Sequence, residues 1–544
     1  MMRSDGFLAV IKKNAKFLIA AFFTLIFWVI CKTFQDYGIT WDEQYHQIYG
    51  NLIIEWYLSF FKDAAAVYHF FLVFYGGFFD ALVQLLSYAS PWDNIESRHF
   101  LGGIFGLWAV LMSYKIAQNI SGVFAGFCAA LFLIFHPVFY GHMFNSPVDI
   151  PFAALLLTTL YFMIASSDHL PKVPSKYLFG IGIAAGLALA IRIGGLLIIV
   201  PAFVVYRLLW LGSHWPQNKD HLGPFLLNLA QNLVCILAIA WPIMLLWWPR
   251  AQVDPFLYPF KALYQTAHWN FNPEKLYIFF QGTYYKISDV PKSYLIKSIL
   301  LSLPEFYFIT LGLGTALAIY LMMKNLTQTG KRFKIIFLLF VLAYPVLAAL
   351  VFNTPRFDGF RHFLFLIPIL AVLAGISFAE FVRSKAYKIF KIASILGIVF
   401  SVALTAFDMY RLHPYQTVYF NRLLAGGLEK AAKNYETDYW GNSYREGILW
   451  LMNNYHPLID RKIRILSFSW PFQTRYYLEK SREAMNRFEM VEDNPDIFIS
   501  TTRRNCHKAY REKIIYTVER DHAPLLYVIE VPKNTPMTTV ETCP

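Results

Sequence analysis

Apolar runs of near-membrane length, separated by short polar breaks, dominate residues 1–410. The first is Phe17–Ile30. The second covers about Phe100–Lys115, and a turn at Gln118–Gly122 leads into a third that ends between Phe135 and Tyr140. A fourth closes near Ile164, and Tyr177–Ile191 and Gly194–Leu211 follow as the fifth and sixth. Leu226–Trp248 is the seventh, and the remaining four end near Met323, Phe352, Arg383 and Phe407. Runs of about 20 apolar residues match the hydrocarbon thickness of a bilayer. The pattern therefore predicts a polytopic α-helical membrane protein with about 11 transmembrane helices.

Three stretches depart from this pattern. In the first outer loop, residues 34–97, Tyr45, Ile48, Tyr49, Leu52 and Trp56 repeat at helical spacing opposite Gln44, Gln47, Asn51 and Glu55. That is the signature of a helix lying in the interface plane. Ala64–Ala89 is long enough to cross but is broken by His69, Gly76-Gly77 and Asp80, and it is read as half-embedded helices. The segment from Pro249 to about Ser302, which includes Trp269, is read as a long aromatic-rich loop. Beyond Asp408 the chain is mixed and charged, with β-rich runs at Ile463–Phe468, Asp496–Ser500 and Leu525–Val531. Residues 411–544 are expected to form a small α/β or α+β domain.

Composition supports the membrane reading. The 544 residues are 57% hydrophobic and only 15% charged, against about a quarter charged in soluble domains. A formal net charge of +13 does not require nucleic acid, because much of the Lys and Arg falls between apolar runs. Lys12, Lys13 and Lys16 precede the first run, Lys324, Lys331, Arg332 and Lys334 follow the eighth, and Arg383, Lys385, Lys388 and Lys391 follow the tenth. Placing all three groups on the cytoplasmic side requires that Ala64–Ala89 does not cross. The C-terminal domain is then extracytoplasmic, and Cys506 and Cys543 could pair there.

With that orientation, the chemistry-bearing residues collect at one face. Trp41-Asp42-Glu43 follows the first span, and Asp149 lies in the loop with His136 and His142. Arg356, Asp358, Arg361 and His362 share a later outer loop, and Arg98 and Arg192 stand at the mouths of other spans. A carboxylate beside a hydroxyl can act as general base, and Arg pairs phosphate with parallel donors. Each residue also has a plainer reading. Asp42 or Asp149 can cap a helix, His136 can cap or bond backbone, Arg98 and Arg192 can snorkel to headgroups, and Arg356–Asp358 can be a turn pair.

Several stretches carry a family likeness. They are Trp41-Asp42-Glu43, Gly141-His142-Met143-Phe144-Asn145-Ser146-Pro147-Val148-Asp149-Ile150-Pro151, Asp358-Gly359-Phe360-Arg361-His362-Phe363 and Tyr435-Glu436-Thr437-Asp438-Tyr439-Trp440-Gly441. With the loop layout, they resemble the C-type (GT-C) polytopic glycosyltransferases, in the bacterial branch related to protein O-mannosyltransferases and the lipid A aminoarabinose transferase. The resemblance implies a polyprenyl-phosphate sugar as donor and an acceptor hydroxyl on a protein, lipid or envelope glycan. It implies a multi-pass protein of the bacterial inner membrane, with its N-terminus cytoplasmic and residues 411–544 periplasmic. Asp42 would match the family's general base, with Glu43 beside it, and Asp149 a second acidic residue that positions acceptor or metal. Mg²⁺ or Mn²⁺ on Asp42 and Asp149 is one option. Arg361 and His362, with Arg98 and Arg356, are expected at the donor phosphate, and His142, Asp358 and Arg192 are further candidates. The lipid A branch has a Lys before the second span where this chain has Tyr75-Gly76-Gly77, which leaves sugar and acceptor open. A lipid-linked sugar flippase or transporter is the alternative, although the spans are nearly free of Asp and Glu and show no internal repeat.

Overall fold

The structure is a computed structural model. It describes residues 4–544 except 215–221, 269–276, 324–328, 458–459, 469–470, 511, 534, 541 and 544. Trp269 and Lys324 lie outside the described residues.

The helical part begins with α1 (Ser4–Thr33), α2 (Glu43–Leu58), α3 (Phe78–Ala89), α4 (Asn94–Ile134) and α5 (Pro137–Asn145). It continues with α6 (Asp149–Ala165), α7 (Ser175–Leu189), α8 (Leu196–Ser213) and α9 (Leu222–Leu246). Then come α10 (Tyr294–Ser302), α11 (Glu305–Met323), α12 (Thr329–Val351), α13 (Leu366–Arg383) and α14 (Lys388–Leu412). Among the described residues, eight helices are long and apolar enough to cross a membrane, or nine if the bent pair α10 and α11 forms one span. The chain is an integral multi-pass membrane protein. The lower count has two physical sources. The helix α4 breaks at Ser121 and Gly122, where φ of Gly122 is +82°, and the chain folds back so that a Cβ on Gly126 would sit 2.7 Å from the Tyr114 carbonyl oxygen. The apolar helix α7 is only 15 residues long. Together these account for the eleven runs read along the sequence. The segment from 64 to 89 does not form a span: it holds two short 3-10 turns and the 12-residue α3.

The region read as one loop after Trp248 is structured. It contains a hairpin of β1 (Tyr277–Phe280) and β2 (Thr283–Lys286), followed by α10, which meets α11 at 104°. The C-terminal part is a mixed sheet of β3 (Ile463–Ser467), β4 (Phe488–Met490), β5 (Ile497–Thr501), β6 (Lys513–Arg520) and β7 (Ala523–Glu530) in the order β4-β3-β5-β7-β6. The pairs of β3 with β4 and β5 are parallel, and the pairs of β7 with β5 and β6 are antiparallel. A disulfide joins Cys506 to Cys543.

This sheet-bearing part seats the first loop. A Cβ at Gly38 would lie 2.0 Å from the Asn442 carbonyl oxygen, so only glycine permits the approach. The Ile39 amide donates to the Tyr477 hydroxyl at 3.1 Å, and Gln473 Nε2 donates to the Ile39 carbonyl at 2.5 Å. Asp438 holds the facing turn, accepting from the amides of Gly441, Asn442 and Ser443 at 2.8–3.1 Å. The backbone leading to Asp42 is thus fixed by residues about 400 positions away in sequence.

Candidate active site

Asp42 occupies the cap position of α2, but its side chain makes no cap hydrogen bond. Its backbone carbonyl accepts from Tyr45 and His46, while the carboxylate keeps about a quarter of its surface open (24%) and meets Arg361 Nη1 at 3.3 Å. The cap reading accounts for the backbone and leaves the carboxylate free for chemistry. Burial pushes the Asp42 pKa above the ordinary aspartate value against the pull of Arg361, and Asp358 and Asp149 nearby add to the rise.

Arg361 is the hub. It reaches Asp358 at 3.1 Å as well as Asp42, and its guanidinium lies 4.6 Å from the Trp440 ring centre. Burial disfavours the Arg361 charge, but Asp358 and Asp42 outweigh it and hold the group cationic. Asp358 is wholly buried and has φ of +54°, a strained value for a residue with a Cβ. Arg361 and Arg503 hold it there, the latter at 2.6 Å. Asp149, in the first turn of α6, pairs with Arg192 at 2.8 Å and accepts from Ser146 Oγ at 3.0 Å. Arg192 Nη1 donates to the His362 carbonyl at 3.4 Å, which ties this pair to the Arg361 turn.

His362 packs against Phe357, and burial together with Arg361 and Arg192 keeps its imidazole neutral, far below the usual histidine range. His142 meets the Tyr439 hydroxyl at 3.2 Å, and burial lowers its pKa to about 4. Arg356 donates to Asn353 at 2.8 Å, while its Nε and Nη1 are buried without protein partners. His136 caps α5 by accepting from the Phe139 amide at 3.2 Å.

Among the contacts of the described residues, three expected site residues do not join this cluster: Arg356, which bonds Asn353, and Glu43 and Arg98. Glu43 is fully buried, accepts from the Thr40 amide at 2.9 Å and hydroxyl at 2.7 Å, and meets His99 Nε2 at 2.9 Å. Successive helical residues point about 100° apart, so Asp42 and Glu43 cannot share one task. Arg98 is likewise buried, against Asp80 at 2.5 Å, with His46 on the other oxygen at 2.9 Å. It neutralises an internal carboxylate instead of reaching headgroups or phosphate. The remaining expectation is a metal on Asp42 and Asp149. Among the described residues no three His, Cys, Asp or Glu side chains gather, and Asp42 and Asp149 each face an arginine. That donor set does not fit Mg²⁺ or Mn²⁺, which want several oxygen ligands and no adjacent cation.

Arg503 escaped the sequence reading. It comes from the C-terminal part, donates to the Tyr439 carbonyl and to Asp358, and lies 4.8 Å from the Trp41 ring centre. Nothing local to Arg503 signals this, since its partner is 145 residues away. Next to the cluster is a small cleft between the bundle and residues 417–439. Arg361, His142, Tyr294, Glu436 and Tyr439 are among its lining residues.

Comparison with known proteins bears on the fold. Residues 91–248 match the family model described as dolichyl-phosphate-mannose-protein mannosyltransferase. No curated protein matches the chain. Among solved structures, ArnT from Cupriavidus metallidurans in the apo state is 13% identical, with a TM-score of 0.52 over 95% of this chain and 98% of that one. The archaeal oligosaccharyltransferase AglB from Archaeoglobus fulgidus, in complex with an inhibitory peptide and a dolichol-phosphate, is also 13% identical. Its TM-score is 0.52 over 92% of this chain and 70% of that one. The family model covers residues 91–248, and the two solved structures share the fold of the chain.

Proposed function

We propose that this chain, which carries a mannosyltransferase-family segment on a C-type glycosyltransferase fold, transfers a sugar from a polyprenyl-phosphate donor to an acceptor hydroxyl. The observation that carries the reading is the Asp42 carboxylate, spared from its cap, open on one side and set beside Arg361.

The chemistry follows from these groups. Asp42 accepts the acceptor's hydroxyl proton as that oxygen attacks the anomeric carbon, and the bond from that carbon to the phosphate oxygen breaks. A positioned carboxylate base contributes about 10²–10⁴-fold. The departing polyprenyl phosphate carries the negative charge, so it needs cations more than a proton. Arg361 supplies the nearest, with Arg192 behind it on Asp149. His362 is held neutral, so it donates or accepts a hydrogen bond without adding charge. Asp149 holds Arg192 in place and is a positioning residue.

The reaction face is the extracytoplasmic side of a bacterial inner membrane in this reading. The Cys506–Cys543 disulfide supports that side for the C-terminal domain, since such bonds persist in oxidising compartments. Basic clusters at the opposite end of the bundle support a cytoplasmic location for that end. The domain division is proposed as residues 1–410 for transfer and 411–544 for the domain that completes the site. The acceptor is a protein, lipid or glycan with a free hydroxyl, and the flippase alternative lacks the midplane charges such proteins use.

The test uses purified protein in lipid nanodiscs and polyprenyl-phosphate mannose, glucose and galactose, each labelled in the sugar, with envelope extracts as acceptor. Label is expected to leave the lipid for a hydroxyl acceptor. Label that crosses a bilayer still attached to its lipid, with no bond cleaved, rejects the transferase reading.

A further inference from the structure

Glu436 borders the cleft beside Arg361 and has no part in the chemistry above. Its side chain is 7% exposed, and neither carboxylate oxygen makes a well-formed hydrogen bond, the Phe279 amide being the nearest backbone donor. Arg503 Nε stands 3.9 Å away, close enough to attract but not to bond, while Arg503 Nη2 is committed to Asp358. Burial pushes the Glu436 pKa above the ordinary range, and Arg503 pulls it back toward the charged form. A buried acid with open valences is costly, and the Phe279 amide and Arg503 leave room for further donors to its two oxygens.

The rest of the cleft wall indicates what that partner is. Phe280 packs 5.0 Å from Tyr294 and 5.6 Å from Tyr435, and Tyr435 stacks on Phe420 at 5.7 Å, giving an aromatic wall beside the acid. The β1–β2 hairpin is pinned to this wall by the Gly282 amide, which donates to the Asn434 carbonyl at 3.0 Å, and by a bridge between Phe280 and Tyr435. Arg503 and Arg504 both oppose the Glu436 charge already, so a cationic ligand group would leave an excess of positive charge. Neutral hydroxyls satisfy a carboxylate without that penalty. Two adjacent hydroxyls match its two oxygens, and the C–H face of a sugar ring suits an aromatic wall.

We propose that Glu436 accepts hydrogen bonds from adjacent hydroxyls of the donor's sugar ring, seated in this cleft between the aromatic wall and Arg361. This rests on the transferase reading. It makes Glu436 a specificity residue for the sugar, placed by the C-terminal part, while Arg361 joins the cleft to Asp42. The ligand class is a neutral pyranose with a free vicinal diol.

The test compares wild type with Glu436→Gln in nanodiscs. Binding is measured for bare polyprenyl phosphate and for polyprenyl phosphate bearing mannose, glucose or galactose. Wild type is expected to bind at least one glycosylated form about 10–100-fold tighter than the bare lipid. The variant should lose that preference, keep its affinity for the bare lipid, and have a Tm no lower than wild type, because it sheds a buried charge. The assignment is overturned if wild type prefers none of the sugars or if the variant keeps the preference. It is also overturned if the variant weakens both lipid forms equally with a lower Tm, the mark of a structural role. A raised acceptor KM with unchanged donor affinity would place the diol on the acceptor and overturn the donor assignment. Sugar transfer by wild type in the assay above, together with any of these results, removes this inference and leaves the transferase reading standing.

Discussion

The two ends of the helical bundle use the same residue types for different purposes. At the end away from the sheet, Glu380 takes Lys331 at 2.5 Å and Arg383 at 2.9 Å, and Ser121 donates to the same carboxylate. Lys334 there bonds Asn119 at 2.9 Å and lies 3.9 Å from Asp168. These side chains form a partly open rim: Arg383 is 47% exposed and Asp168 79%, Lys331 and Glu380 about a quarter, and Lys334 lies beneath them at 10%. At the other end Asp358 is 0% exposed, Asp149 2% and Arg361 11%, and each carboxylate is shared across distant segments. Charge alone does not mark a site. What separates the ends is that one holds Glu380 and its cations at a partly open rim, while the other puts Asp358, Asp149 and Arg361 under cover.

The largest effect is expected at the hub. Arg361→Ala should cut transfer by about 10²–10³-fold, measured as label released from the sugar lipid, because the phosphate loses a cation and Asp42 its partner. Arg361→Lys should recover only part of this, since a single ammonium cannot reproduce a planar fork. Near-normal transfer by the alanine variant would reduce the buried end to a structural feature.

Glu43→Gln should behave differently from any change at its neighbour. It weakens the buried His99 contact and should cost about 1–3 kcal/mol of stability by thermal unfolding. Transfer per folded molecule should stay near wild type. A selective loss of rate would return Glu43 to the list of catalytic groups.

The pH profile separates the ends as well. Asp42 must be ionised to act as base, and burial raises its pKa, so kcat/KM should fall on acidification. The limb should start at a higher pH than for a free aspartate and drop about tenfold per unit. His142, lowered to about 4, and His362 stay neutral through the usual histidine range, so neither adds a limb near 6.5. A limb that moves in His142→Asn would reassign the base. The smallest effect belongs to Glu380→Gln at the open end, about 0–1 kcal/mol in stability and no change in transfer.

Much of this contrast was legible in the sequence because lipid imposes a length. The apolar runs and their Lys-rich breaks read directly as spans, and Asp42 stood out as a carboxylate just past one. The three β-rich runs at Ile463–Phe468, Asp496–Ser500 and Leu525–Val531 contain or overlap strands β3, β5 and β7. What was not legible depends on tertiary placement. Arg98 looks like a mouth residue until α3 brings Asp80 against it. Glu43 differs from Asp42 only by the rotation of one helical step. Arg503 and Glu436 reach the site through a domain whose docking no local pattern encodes. The loop after Trp248 concealed its hairpin because short aromatic strands resemble any interfacial stretch.

The central claim is that the open carboxylate at the covered end performs the chemistry. Its most direct test is the single-turnover rate of sugar transfer by Asp42→Asn with saturating polyprenyl-phosphate sugar, beside wild type. Donor affinity and Tm near wild type with a rate at least about 100-fold lower are the expected result. Transfer at the wild-type rate would contradict the account.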